Sequence, residues 1–207
     1  MKYIEFREKM KMYPVFSTQE IEKRFPGLDS RRLTEWQHKG YIQKLRNQYY
    51  CFSDRLHDEP ALYYAANTIY PPSYVSLESA FAWYGFIPER VFQVRSCTTR
   101  KTQSFDTSRG LFTYRHLKTS LYFGYRLEPW KAQHFLMADP EKTVIDYLYL
   151  HPAIRNVQDI SVLRWNAITM EERLSMNKLD GYETYINSPA LSRRMALFRE
   201  FLHAFAG

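Results

Sequence analysis

Apolar and polar positions change period twice within the first fifty residues. Residues 3–12 set Tyr, Ile, Phe and Met among charges and predict one short helix. VFSTQEIEKRFPG follows: Ser17 with Glu20 three positions later is a capping-box pattern, Ile21 and Phe25 supply an apolar stripe, and Pro26-Gly27 ends the helix. In LDSRRLTEWQHKG, Asp29 is placed to cap a second helix and Gly40 to close it in a left-handed turn. At 100° per residue, Leu33 and Trp36 share one side of that helix. Arg31, Thr34, Glu35 and His38 share the other, flanked by Arg32 and Lys39. After Gly40 the period falls to two. YIQKL and YYCFS are short aromatic strands joined by the polar turn Arg46-Asn47-Gln48.

Two short helices, a turn and a β-hairpin follow the order of a winged helix-turn-helix. In that fold the second helix of the pair enters the major groove of duplex DNA and the hairpin turn reaches phosphate or the minor groove. On this reading Arg31, Thr34, Glu35 and His38 face bases. Arg32, Lys39, Lys44 and Arg46 hold phosphates, with Asn47 in the same turn. A winged helix used only for protein contact is the competing expectation, since a solvated helix face also carries charges.

Beyond Glu59 the pattern is helical through EPALYYAANTIY, broken at Pro71-Pro72, and resumes in YVSLESAFAWYGFIPE with Gly85 as its terminator. Residues 91–136 alternate. VFQVRSC, GLFTYRHLK, SLYFGYRLE and QHFLM predict a small antiparallel sheet with one buried face, with Asp106 to Gly110 as a turn. In LYFGYRL, Leu121, Phe123, Tyr125 and Leu127 are expected on one side. In ADPEKTVIDYLYL, Asp139 is an N-cap, Pro140 occupies the first helical position, and Val144, Ile145, Leu148 and Tyr149 form the stripe. Lys142 and Asp146, four apart, are expected to pair across that helix's surface. Val157–Leu163, Glu171–Ile186 and Ala190–Phe205 predict three further helices, with Ser188 capping the last. Its face of Leu191, Met195, Phe198, Phe201, Leu202 and Phe205 suits either the chain's own core or a partner.

Composition sharpens this picture. With 45% apolar residues, 17 Tyr and 14 Phe in 207 residues, a packed aromatic core is expected and disorder is not. Two distant cysteines, Cys51 and Cys97, form neither a zinc pattern nor a disulfide framework and suit a reducing cytoplasm. MKYIEFREKMKMYP is charged, which predicts no secretory signal, and no apolar run reaches membrane-span length. The net charge of +7 is unevenly placed: +5 in residues 1–57, −4 in 58–89, +7 in 90–131 and −1 in 132–207. Two basic zones flanking an acidic one suit a polyanion partner. In the second zone, Arg95, Arg100, Lys101, Arg109, Arg115, Lys118 and Arg126 are expected on outward positions and loops, where they suit nucleic acid, an acidic protein or plain solvation of the face alike.

Three runs in order carry a family resemblance: Tyr74 to Ala80 (YVSLESA), Phe112 to Arg115 (FTYR) and Ala138 to Asp146 (ADPEKTVID). Behind a winged helix, these make residues 15–150 resemble the AbiE antitoxin family, the AbiEi-like regulators of type IV toxin–antitoxin systems. Phe81 stands where the family usually has Leu, and Thr143-Val144-Ile145 replaces an Ala/Leu-rich run. The resemblance implies an autorepressor that binds inverted repeats in its own promoter through the N-terminal winged helix. It implies a second domain that adds contacts for operator binding and antitoxicity, and a neighbouring nucleotidyltransferase-like toxin that need not be bound tightly.

Catalysis is not expected. Glu141 and Lys142 are adjacent, so they diverge by about 100° on a helix and do not converge on one metal as a Glu-x-Lys nuclease motif does. A nuclease built on Asp139 and Glu141 lacks a third ligand nearby. The six histidines are scattered, and no Gly-x-Ser-x-Gly elbow occurs. The sequence therefore predicts an α+β protein: a winged helix-turn-helix in residues 1–57, then, in 58–207, a mixed domain with a small antiparallel sheet and C-terminal helices. It predicts a DNA-binding protein and no catalytic residues, metal or cofactor. A protein-interaction module using the winged helix and the C-terminal helix is the alternative.

Overall fold

A computed structural model describes residues 1–89 and 91–206. Arg90, counted in the second basic zone, lies outside the described residues, as does Gly207. The chain is α+β. Its first part runs α1 (Tyr3–Met10), β1 (Val15–Ser17), α2 (Thr18–Arg24), α3 (Arg31–His38), β2 (Ile42–Arg46) and β3 (Tyr49–Phe52). The three strands form an antiparallel sheet in the order β1-β3-β2. The local signals act as their chemistry requires. Ser17 Oγ accepts from the Glu20 N–H at 3.2 Å, and the Glu20 carboxylate accepts from the Ser17 N–H at 2.7 Å, so two orphan donors of α2 are satisfied together. Asp29, expected to cap α3, stands two residues before its first residue: the N-cap is Ser30, whose side chain makes no capping bond, and Asp29 Oδ1 accepts from the Arg31 N–H at 2.9 Å. Gly40 takes φ +68° to end that helix.

Phe6 of α1 lies at the centre of this part's core. The rings of Phe16, Phe25, Trp36 and Phe52 surround it at 4.6 to 6.2 Å, and Met10, Ile21, Leu33 and Ile42 complete the cluster. The apolar stripes of α2 and α3 therefore face inward. The exposed side of α3 is fixed by the burial of Leu33 and Trp36.

After Asp58, which caps the next helix through Ala61 N–H, come α4 (Glu59–Ile69), β4 (Ser73–Val75), α5 (Leu77–Trp83), β5 (Val94–Thr98), β6 (Gln103–Thr107) and β7 (Gly110–His116). A 3₁₀ turn at Thr119–Leu121 leads to β8 (Tyr125–Trp130), β9 (Gln133–Ala138) and α6 (Pro140–Leu150). The chain closes with α7 (Val157–Ser161), α8 (Ala167–Arg173), α9 (Met176–Ile186) and α10 (Pro189–Ala206).

The sheet here differs from the small antiparallel one expected. It has six strands in the order β6-β7-β5-β4-β9-β8, with β5–β7 and β4–β9 parallel. Two strands were hidden in the pattern. β4 occupies Ser73–Val75, where a helix start was expected, and its three residues are all buried, so no alternation marks it. β6 occupies polar Gln103–Thr107 and takes in Asp106 and Thr107 of the expected turn, which narrows to Ser108-Arg109 because β7 starts at Gly110. The strand expected from Ser120 begins only at Tyr125, because Gly124 takes φ +69°. Leu127 is 65% exposed, against the buried side expected for it. The helix expected over Glu171–Ile186 is two: Leu174 leaves helical geometry, and Ser175 Oγ accepts from the Lys178 N–H to cap α9.

One large core joins the sheet to α4, α5, α6 and α10. Leu191, Met195, Phe198, Phe201 and Leu202 of α10 are buried in it, leaving only Phe205 of the expected face exposed. Val15, Leu45 and Cys51 from the first part also join this core. At the sheet's two edges, β6 lies alongside β2, while β8 carries the exposed Pro129.

Candidate nucleic-acid interface

α3 presents Arg31, Arg32, Thr34, His38 and Lys39 to solvent. Arg31 Nε sits 2.9 Å from Asp29 Oδ2 and its side chain is 90% exposed, so this pairing holds it only loosely. Glu35 is half-buried and doubly engaged, accepting from Lys39 Nζ at 2.7 Å and Arg32 Nη1 at 2.9 Å. Those two cations hold its carboxyl below its ordinary range, Lys39 foremost. The base-reading role expected for Glu35 therefore needs correction. Its oxygens orient Arg32 and Lys39 along the flank of α3 and do not point freely outward.

The hairpin after α3 turns at Asn47-Gln48, with Gln48 at φ +70°. Lys44 and Asn47 are exposed. Arg46 is half-buried, with its guanidinium carbon 4.8 Å from the Tyr49 ring centroid, 5.0 Å from Phe105 and 5.8 Å from Tyr70. Arg46, expected to hold phosphate, thus has its cation among aromatic rings. No sequence signal foretold this, because Tyr70 and Phe105 are distant along the chain.

The second basic zone also divides. Arg95 pairs with Glu78 at 3.2 Å and Arg126 with Glu128, so these two are neutralised. Arg109 donates to the Ser53 carbonyl, and Arg100 lies over Tyr70. Lys101 and Lys118 remain exposed, and Arg115 is half-buried.

The carboxylates of the α6 start serve the fold. Asp139 caps α6, accepting from the Lys142 N–H at 2.7 Å, and also accepts from Tyr182 Oη at 2.6 Å. Glu141 accepts from the Ser175 N–H at 2.8 Å. Lys178 Nζ bridges the two acids at 3.0 and 2.9 Å, tying α9 to α6. Burial pushes the Glu141 carboxyl up, but the Ser175 N–H and the Lys178 ammonium together hold it below its ordinary 4.5.

Lys142 and Asp146 do pair, yet not on the surface: their side chains are 0% and 1% exposed. Lys142 Nζ also donates to Tyr74 Oη at 2.9 Å. Asp146 Oδ2 accepts from Tyr74 Oη at 2.9 Å and from Ser76 Oγ at 2.8 Å. Burial pushes the Tyr74 hydroxyl well above its ordinary value, with the Asp146 charge adding to the effect, so this phenol stays a donor. The signal for this network was present in the paired runs YVS and EKTVID. Only the parallel β4–β9 crossover, invisible in local periodicity, brings them together.

A cleft of about 650 Å³ opens beside Phe81, Ile87, Phe92, Tyr147 and Trp165, with the Glu78–Arg95 pair on its wall. Among the described residues there is no cluster of three or more His, Cys, Asp or Glu able to hold a metal ion. No helix among them is long and apolar enough to cross a membrane. Comparison with protein-family models and with curated proteins finds no match for the chain.

Proposed function

We propose that residues 1–57 form a winged helix-turn-helix and that the protein binds duplex DNA in the cytoplasm as the autorepressing antitoxin of a type IV toxin–antitoxin operon. Residues 58–207 would be the AbiEi-like antitoxin domain, and a nucleotidyltransferase-like toxin the neighbour it counteracts. The observation carrying the DNA reading is the outward side of α3: Arg31, Thr34 and His38 exposed together, with Arg32 and Lys39 on its flanks. The element order supports it, since α2 and α3 precede an antiparallel hairpin. The three family-like runs support the antitoxin reading.

In this reading Arg31, Thr34 and His38 reach base edges from the major groove, each good contact contributing about 1–3 kcal/mol of discrimination. Arg32, Lys39, Lys44 and Asn47 contact the backbone, which supplies most of the affinity and makes it salt-dependent. No catalytic step is assigned. The acids that resemble a nuclease cluster are occupied by Lys178, Tyr182 and Ser175. The alternative, a protein-interaction module using the winged helix and the C-terminal helix, finds less support in α10, whose apolar face is buried in the chain's own core. The test is a gel-shift titration with DNA from upstream of the gene: Arg31→Ala and Lys44→Ala should each weaken binding. Unchanged affinity in both rejects the placement of the interface.

A further inference from the structure

The first part of the chain meets the second along a seam where β2 lies beside β6. Gln43 Oε1 accepts from Ser108 Oγ at 3.0 Å at one end of it. At the other, Arg46 leaves the hairpin and enters an aromatic seat. One ring of that seat, Tyr49, belongs to its own hairpin. The other two, Tyr70 and Phe105, belong to the second part. Arg46 Nε is buried without a hydrogen-bond partner among the described residues. Arg46 also joins no ion pair among them. The rings are thus the groups that hold this cation.

Tyr70 is fixed in turn. Its hydroxyl donates to the Lys101 carbonyl at 3.0 Å, and Arg100, with its guanidinium carbon 4.5 Å from the ring centroid, donates to the Pro71 carbonyl at 3.3 Å. A flat guanidinium over aromatic faces is a stacked, directional contact that an ammonium does not reproduce, and it strengthens as water is excluded.

We infer that Arg46 is a positioning residue: seated on Tyr70 and Phe105, it locks the α3-bearing part onto the second part and so fixes where α3 stands relative to the basic loop at Arg100 and Lys101. This rests on the DNA reading above and assigns Arg46 a role opposite to a phosphate contact. Two basic surfaces held at a set angle engage one duplex with less loss of freedom than two surfaces on a loose joint.

The experiment uses the full chain with Arg46→Ala, Arg46→Lys, Tyr70→Leu, Tyr70→Phe and the Arg46→Ala/Tyr70→Leu double variant, each checked for native circular dichroism. Two readouts are taken: tryptic cleavage at Arg55, between the two parts, without DNA, and affinity for the upstream DNA. Arg46→Ala and Tyr70→Leu should each speed cleavage and weaken DNA binding about 3- to 30-fold. The double variant should fall short of the sum of the two single losses, because the Arg46–Tyr70 contact is removed by each. Tyr70→Phe, which keeps the ring but loses the hydroxyl bond to Lys101, should fall much less than Tyr70→Leu, and Arg46→Lys should rescue only in part.

A Tyr70→Leu protein that binds DNA as well as or better than the unaltered one, while Arg46→Ala binds worse, overturns the proposal in favour of a direct phosphate grip. Unchanged cleavage in both single variants, or faster cleavage with unchanged DNA affinity, also overturns it. If the unaltered protein binds no DNA, the function proposed above fails and the assigned role of Arg46 in DNA binding fails with it. The cleavage readout then decides whether the lock itself exists.

Discussion

The starts of α3 and α6 carry similar letters, an aspartate ahead of the helix and acids and bases within its first two turns, yet the two helices use them oppositely. On α3 the charges pair with each other at the surface: Arg31 with Asp29, and Arg32 and Lys39 with Glu35. Water screens such pairs and they are easily exchanged, so they add little to stability and remain open to an incoming polyanion. On α6 the charges are enclosed. Lys142 and Asp146 have no access to water, and Tyr74 and Ser76 satisfy what the ion pair leaves over. A charge that has lost its water and gained fixed partners is committed to the fold. The same residue types thus make exchangeable surface pairs in one helix and a structural lock in the other, and burial alone separates the two.

The comparison breaks first at Asp146. Asp146→Ala strands a buried ammonium and two hydroxyls, and should cost about 3–5 kcal/mol in urea unfolding. A loss below about 1 kcal/mol would place Lys142 in contact with water after all. Gly124 tests the same enclosure from outside. At φ +69°, a Cβ there would stand 3.0 Å from Lys142 Cβ, so Gly124→Ala combines backbone strain with overpacking and should cost about 1–3 kcal/mol.

A smaller effect is carried by acid. Because Glu141 in the folded chain titrates below its ordinary 4.5, its contribution is present in full above that pH. That contribution is lost as pH falls through the lowered value. Glu141→Gln should therefore be less stable than the unaltered protein at pH 7, with the gap narrowing below pH 4.5 in thermal melts. A gap constant with pH would remove Lys178 and Ser175 as its cause. Least of all for stability, Lys44→Ala should leave the melting temperature unchanged while lowering the slope of log affinity against log salt by about 0.9, the signature of one lost phosphate contact.

Local chemistry in the sequence was legible where it acts locally. Ser17 with Glu20, Gly40 after α3, and Asp139-Pro140 before α6 all do what their residue types require within four positions. Long-range pairing was not legible. β4 is three residues long and buried on both faces, so its period carries no mark, and its parallel partner β9 lies about sixty positions away. Without that crossover, Asp146 is indistinguishable from any surface acid four residues after a lysine. The surroundings of Arg46 were hidden for a similar reason: alternation places it on a hairpin beside Tyr49, but two of the three rings around it come from the end of α4 and from β6. The exposed face of α3 was easier, since Leu33 and Trp36 define it by their own burial.

Pro129 has a further consequence. The bond from the Asp139 N–H to the Gly124 carbonyl sets the phase of pairing between β8 and β9. The N–H groups of Tyr125 and Leu127 then point away from β9, and Pro129 stands at the third such position without one. The opposite edge, β6, is flanked by β2. A sheet of six strands thus offers incoming chains one interrupted row of donors and one obstructed edge. That keeps a crowded, newly made chain from adding copies of itself strand by strand.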